Sequence, residues 1–184
     1  MTTAAGETSP ADLLRFWREA GPQRWFRKDP AFDERFRTRF LPAHEAAARG
    51  ALQGWADTAD GALALLLLLD QFPRNAFRGC ARAYATDAAA REIAHGALER
   101  GFDAQVEAPL RNFFYLPLMH SERLADQVLA VDKTRALGEE PLRHARIHHD
   151  IIERFGRFPH RNAVLGRATT PEEQAFLDGG GFAG

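Results

Sequence analysis

The chain has 184 residues, 45% of them hydrophobic and 27% charged, and a formal net charge of −1. Such a composition excludes a disordered chain, and the near-neutral charge leaves no global field to recruit nucleic acid or an anionic membrane. One cysteine, Cys80, excludes an intrachain disulfide and a cysteine zinc cluster, and the longest apolar run, Ala62 to Leu69, falls well short of the ~20 residues of a membrane-spanning helix.

The elements predicted in chain order are helices. Val and Ile together number eight while Ala and Leu dominate, which favours helix over sheet. Ser9-Pro10 opens a first helix, with Ser as cap and Pro at the first position, and Gly21-Pro22 closes it. Asp29-Pro30 opens a second by the same device. Phe32, Phe36 and Phe40 then stack on one stripe, and Pro42 is expected to kink or restart the helix before Gly50. Asp60 is the expected cap of a Leu-rich helix from Gly61 to Gln71, apolar on nearly every face and therefore buried, with Phe72-Pro73 ending it. Thr86-Asp87 opens the next helix and Gly101 closes it. Pro117 separates the run Phe113-Phe114-Tyr115 from a helix capped by Ser121, and another helix runs from about Pro141 to Phe155 before Gly156. Thr170-Pro171-Glu172-Glu173 is a capping box that starts a last short helix, followed by a flexible Gly179-Gly180-Gly181 tail. The sum is an all-α array of about seven or eight helices in one domain, 1–184, ordered from about 9 to 178 with flexible ends. With no secretory pattern in the first ten residues, the expected location is the cytoplasm.

One short cassette occurs twice: Phe72-Pro73-Arg74-Asn75-Ala76-Phe77-Arg78-Gly79, and Phe158-Pro159-His160-Arg161-Asn162-Ala163-Val164-Leu165-Gly166, the second with an inserted His. Each follows an apolar helical segment with an acid near its end, Asp70 in one and Glu153 in the other. One reading is structural: Asn75 and Asn162 cap helical turns, and Arg74 and Arg161 sit past helix C-termini, where a cation meets the negative dipole end. The other is functional: the two Arg-Asn pairs face one cavity and hold an anion, Arg by its planar fork and Asn by its amide. Only Lys28 and Lys133 among the 24 basic residues are Lys, a skew that genomic base composition produces as readily as function, so no single Arg carries weight alone.

His120-Ser121-Glu122 at a helix start is ordinary capping chemistry or an acid/base pair of His120 and Glu122. His144, His148 and His149 crowd one helix, and His144 and His148 share a face, but Ala145 stands where a zinc-protease signature needs Glu. A His/carboxylate metal site with Asp150 and His160 ranks below a solvated histidine face. No phosphate loop, dinucleotide fingerprint or nucleophile elbow is present.

The stretches Arg24-Trp25-Phe26, Leu68 to Asn75, Tyr115 to Glu122 and Arg154 to Asn162 resemble the signatures of the bacterial domain-of-unknown-function family 924, from about Leu13 to Leu177. The resemblance implies an all-helical fold with helix pairs like those of tetratricopeptide-repeat (TPR) proteins, packed around the buried Leu-rich helix. It brings no activity, cofactor or catalytic residue. Asp70, Arg74, Asn75, His120, Glu122, His148, Arg161 and Asn162 all match its motifs. The expected site is therefore a polar pocket that takes a small anion or polar metabolite without a metal, the cofactor being unknown. His120 and Glu122 are its candidate catalytic pair, and Asp70, Arg74, Asn75, His148, His160, Arg161 and Asn162 its ligand-binding residues. The alternative is a non-enzymatic TPR-like module that binds a protein or peptide partner.

Overall fold

The computed structural model describes residues 8–182; the expectation of flexible ends lies outside them, apart from the Gly-rich tail treated below. Among the described residues the chain is helical and has no strand, the all-α architecture expected. Helix α1, Pro10–Ala20, starts at Ser9 in a capping box with Asp12. Helix α2, Pro30–Ala48, starts at Asp29, whose carboxylate accepts from the Ala31 and Phe32 N–H groups. It does not restart at Pro42, and Phe36 and Phe40 before the proline and Ala43, His44 and Ala47 after it are all buried. Phe16 of α1 stacks on Phe32 and Phe36 at 5.4 and 5.5 Å between ring centroids, which seats α1 on α2.

Helix α3 spans residues 59–76 and lies against α1 and α2. Its cap is Thr58, which accepts from Gly61 N–H at 3.1 Å, rather than Asp60. Gly61 is needed there, since a Cβ would meet the Trp55 carbonyl oxygen at 2.0 Å. Every residue from Ala62 to Gln71 is buried, as the all-round apolar pattern requires.

Phe72-Pro73 does not end this helix. Residues Leu67–Gln71 form a π turn, in which Phe72 N–H reaches back five residues to the Leu67 carbonyl, and α-helix resumes over Phe72–Ala76. Pro73 has no N–H to give, so carbonyls of the preceding turn need other donors. Three consecutive ones find them: His44 Nδ1 donates to Leu68 O at 2.9 Å, Thr86 Oγ to Leu69 O at 2.5 Å, and Arg74 Nη1 to Asp70 O at 2.9 Å.

Helix α4, Asp87–Glu99, and helix α5, Asn112–Met119, complete the packing around α3. Pro117 lies inside α5 instead of separating two segments. Helix α6, Leu124–Thr134, packs between α5 and helix α7, Glu139–Phe155, which Gly156 ends in the left-handed conformation at φ 69°. Ser121 precedes α6 by a short turn and is not its cap; its hydroxyl donates to Asp126 at 2.6 Å. After a turn at Pro159–Arg161, helix α8, Pro171–Asp178, opens with the predicted Thr170/Glu173 capping box. No helix among the described residues is long and apolar enough to cross a membrane.

Candidate functional site

The π turn sets the site. It places Asp70, buried, on the side of α3 that faces the end of α5, where His120 follows the last turn. His120 Nδ1 lies 2.8 Å from one Asp70 carboxylate oxygen and 3.0 Å from the other. One turn on, Arg74 Nη1 is 3.1 Å from the same carboxylate and grips Asp87, at the start of α4, through two bonds of 2.9 and 3.0 Å. Asp87 also receives Arg161 Nη1 at 3.4 Å. The two cassettes therefore converge, Arg74 and Arg161 meeting on one carboxylate in an alternating chain Asp70–Arg74–Asp87–Arg161.

Arg161 is held differently from Arg74. Its guanidinium lies between the Tyr84 and Phe158 rings, 4.6 and 4.4 Å from their centroids. The side chain is buried, 6% exposed, yet its Nε has no partner and its hydrogen bond to Asp87 is long. Neighbouring His160 likewise has a buried Nδ1 without a partner. Two cavities open on either side of a partition made by Tyr84, His120 and Arg161. The smaller, about 420 Å³, is bordered by Asp87, Glu122 and Arg123; the larger, about 450 Å³, by Lys28, Arg74, His148, His160 and Phe182. Phe182, just beyond Gly179-Gly180-Gly181, rests on His148 and His160 at 4.5 and 5.3 Å between ring centroids and walls the larger cavity.

The electrostatics follow from burial. Desolvation works to raise the Asp70 pKa, but Arg74 and then His120 outweigh it, and the carboxyl is held below its ordinary value. Burial, reinforced by Arg74, lowers His120. Burial and the adjacent His120 lower His148 to about 3, and burial and Arg161 lower His160 to about 4. Burial and Arg74 lower Arg161 to about 10, still cationic at neutral pH. The cluster thus presents charged Asp70, Arg74 and Arg161 beside neutral imidazoles.

Other predicted residues lie outside this cluster. Asn75 does not cap a helix: its Nδ2 donates to Asp33 at 2.6 Å and its Oδ1 accepts from Gln71, which also reaches the Trp25 carbonyl. Asn162 donates to Glu173 at 3.1 Å and Thr169 at 3.3 Å and accepts from Arg167 at 3.0 Å. Both amides are spent on their own corners. Glu122 is not paired with His120: Arg167 holds it through bonds of 2.8 and 3.0 Å and the Phe158 N–H adds one of 2.8 Å. These partners, the Arg167 bonds first, overcome desolvation and keep the Glu122 pKa below its ordinary value. His144 and Glu153 do not border either cavity. Among the described residues the close-set group of possible metal ligands is His149, Asp150 and Glu153 on the surface of α7, also outside both cavities. The sequence reading missed Asp87, Tyr84 and Arg167. Asp87 follows Thr86 as an acid in a helix's first turn, a position with an ordinary explanation, which concealed its second role.

Fold and site together define an all-helical protein in which two repeated corners enclose a buried Asp/His/Arg cluster between two cavities. The chain belongs to the bacterial family of proteins of unknown function DUF924, whose family model matches residues 13–181. It is similar to the solved structure of a protein of unknown function from Agrobacterium tumefaciens, with 55% identity and a TM-score of 0.90 over 92% of this chain and 97% of that one. No curated protein matches it.

Proposed function

We propose that the larger cavity binds a small anionic metabolite at Arg161, with His120 as the group that exchanges a proton with it. The observation that carries this reading is the state of Arg161: a buried cation, fixed between two rings, with an unpartnered Nε and one long hydrogen bond. A guanidinium has five donors and no acceptor, and a carboxylate or phosphate is the group that satisfies a fork of them. Lys28 and Arg123 border the cavities without an ion pair among the described residues and add positive charge. Asp70 orients His120 as a carboxylate orients a general base, so the proton role falls to this dyad and not to a His120/Glu122 pair. A cytoplasmic location is part of the same reading, consistent with the single cysteine, Cys80.

The competing reading, a TPR-like interaction module, draws on Leu124 and Val128, exposed one turn apart on α6. Two side chains are a small patch beside the surface a specific interface buries, so this support is weaker than that of Arg161.

Thermal melting with acetate and inorganic phosphate tests the proposal. Anion binding should raise the melting temperature of the wild type by mass action, about 2.7 kcal/mol at a hundred times Kd. Arg161→Met keeps the packing volume, leaves Asp87 to Arg74 and should abolish the shift, while a chelator should change nothing. Equal shifts in both proteins would mean only the general stabilisation that excluded salts confer, and would overturn the reading.

A further inference from the structure

The larger cavity carries a second signal, in the tautomers of two histidines. His120 Nδ1 faces the Asp70 carboxylate and His148 Nδ1 faces the His144 carbonyl, each at 2.8 Å. Both partners are acceptors only, so both Nδ1 atoms carry the hydrogen, and each neutral ring presents Nε2 as a bare lone pair. The rings are 6.0 Å apart between centroids, both border the cavity, and neither Nε2 has a protein partner among the described residues. One cavity thus pairs a cation short of acceptors with two imidazole acceptors short of donors.

We propose that the ligand is a hydroxylated anion, a hydroxy acid or the phosphate ester of a polyol, with its anionic group on Arg161 and a hydroxyl donating to Nε2 of His120 or His148. This rests on the anion reading above and names the substrate class within it. A second carboxylate facing the histidines would set lone pairs against lone pairs. An ammonium group would face Arg74 and Arg161. A plain apolar tail would leave two buried acceptors unsatisfied. A hydroxyl supplies the donor without adding charge, and the one on His120 is then placed for proton transfer to the Asp70-oriented ring. Histidines with Nδ1–H on a carboxylate or carbonyl are also what metal sites use. Here, however, the two guanidiniums oppose a cation, and the close-set ligand group of the described residues lies outside the cavity.

Calorimetric titration with matched pairs tests the inference: glycerate against propionate, and glycerol phosphate against propyl phosphate. The hydroxylated member of at least one pair should bind the wild type roughly ten- to a hundredfold more tightly, the range expected when a buried acceptor is otherwise left unpaired. His120→Asn and His148→Asn each keep a donor where Nδ1 stands and remove the Nε2 acceptor. One of them should erase the preference while leaving the unhydroxylated anion bound, and the corresponding Gln variant, with an amide oxygen near Nε2, should restore part of it. If a variant does not fold, the wild-type comparison alone decides. Equal affinity within both pairs overturns the hydroxyl and leaves the anion site standing. Failure of all four compounds to bind overturns both readings. One equivalent of zinc bound by the wild type and lost in either Asn variant replaces the hydroxylated ligand by a metal.

Discussion

At Arg161, two aromatic rings flank a guanidinium whose one carboxylate bond, to Asp87, is long, and its Nε is left without a partner. The histidines beside it are neutral because burial disfavours the imidazolium and the positive neighbours oppose a further proton. The consequence is a defined pH dependence. An unfolded histidine titrates near 6.5, whereas folded His148 and His160 are lowered to about 3 and about 4. Between these limits the unfolded state binds more protons, so the stability they contribute is complete above about pH 6.5 and is lost as the pH falls toward the folded values. Each contributes a slope of about 1.4 kcal/mol per pH unit over most of that window. Asp70 and Glu122, lowered from 3.8 and 4.5, act further toward acid, which leaves the range from pH 6.5 to 5 to the histidines. Urea midpoints measured from pH 7.5 to 5 should fall, and His148→Asn should flatten the slope by about one proton's share. An unchanged slope in that variant would show that His148 is not held neutral by the fold.

Among the elements, α3 concentrates the argument, because its π turn both lets Pro73 stay helical and aims Asp70 at His120. The three side chains that satisfy its carbonyls are structural supports of the site. Thr86→Val removes the hydroxyl from Leu69 O and leaves a buried acceptor, so the protein should lose about 1–3 kcal/mol in chemical denaturation. A loss under half a kcal/mol would mean that the π turn needs no such support. Here too lies the boundary of what the residues alone disclose. The caps at Ser9, Asp29 and Thr170 were legible because a cap is made within four residues of itself. The burial of the Ala62–Leu69 stretch of α3 was legible because it holds no polar residue. Pro73 was misread as a stop because its tolerance depends on His44 and Thr86, 24 and 17 residues from the carbonyls they serve. Asp60 was the expected cap, but the extended backbone falls at Thr58 and Asp60 already lies in the first turn. The cassettes were visible as a repeat, and so was their convergence as an expectation. What each Asn and acid would bond to was not, since Asp33, Asp87 and Arg167 are distant in sequence and ordinary in type.

On the scale of the whole molecule, the packing is unequal. One large core joins α1 to α6 through α3, with Ala145 of α7 reaching into it. A second, small one holds Ile151, Ile152 and Phe158, with Phe176 and Phe182 packed against it. The C-terminal part that carries His160 and Arg161 therefore has little apolar burial of its own. It is tied to the rest through polar links instead: Arg161 to Asp87, Glu122 to Arg167 and the Phe158 N–H, and Arg154 of α7 to Glu172 at 3.1 and 3.0 Å. Segments with few apolar contacts open at lower free energy than the core around them. Native-state hydrogen exchange should accordingly show α8 and the turn at Pro159–Arg161 exchanging by local opening, while the amides of α3 exchange only with global unfolding. On the proposed reading an anion on Arg161 would bind the closed state and neither the open nor the unfolded one, so it should raise protection in that turn and α8, and with it that of the globally exchanging α3 amides, by the binding free energy. Uniform protection along the chain without ligand would show that the polar links bind the C-terminal segment as firmly as the large core does, and the site would then be preformed rather than completed by what it binds.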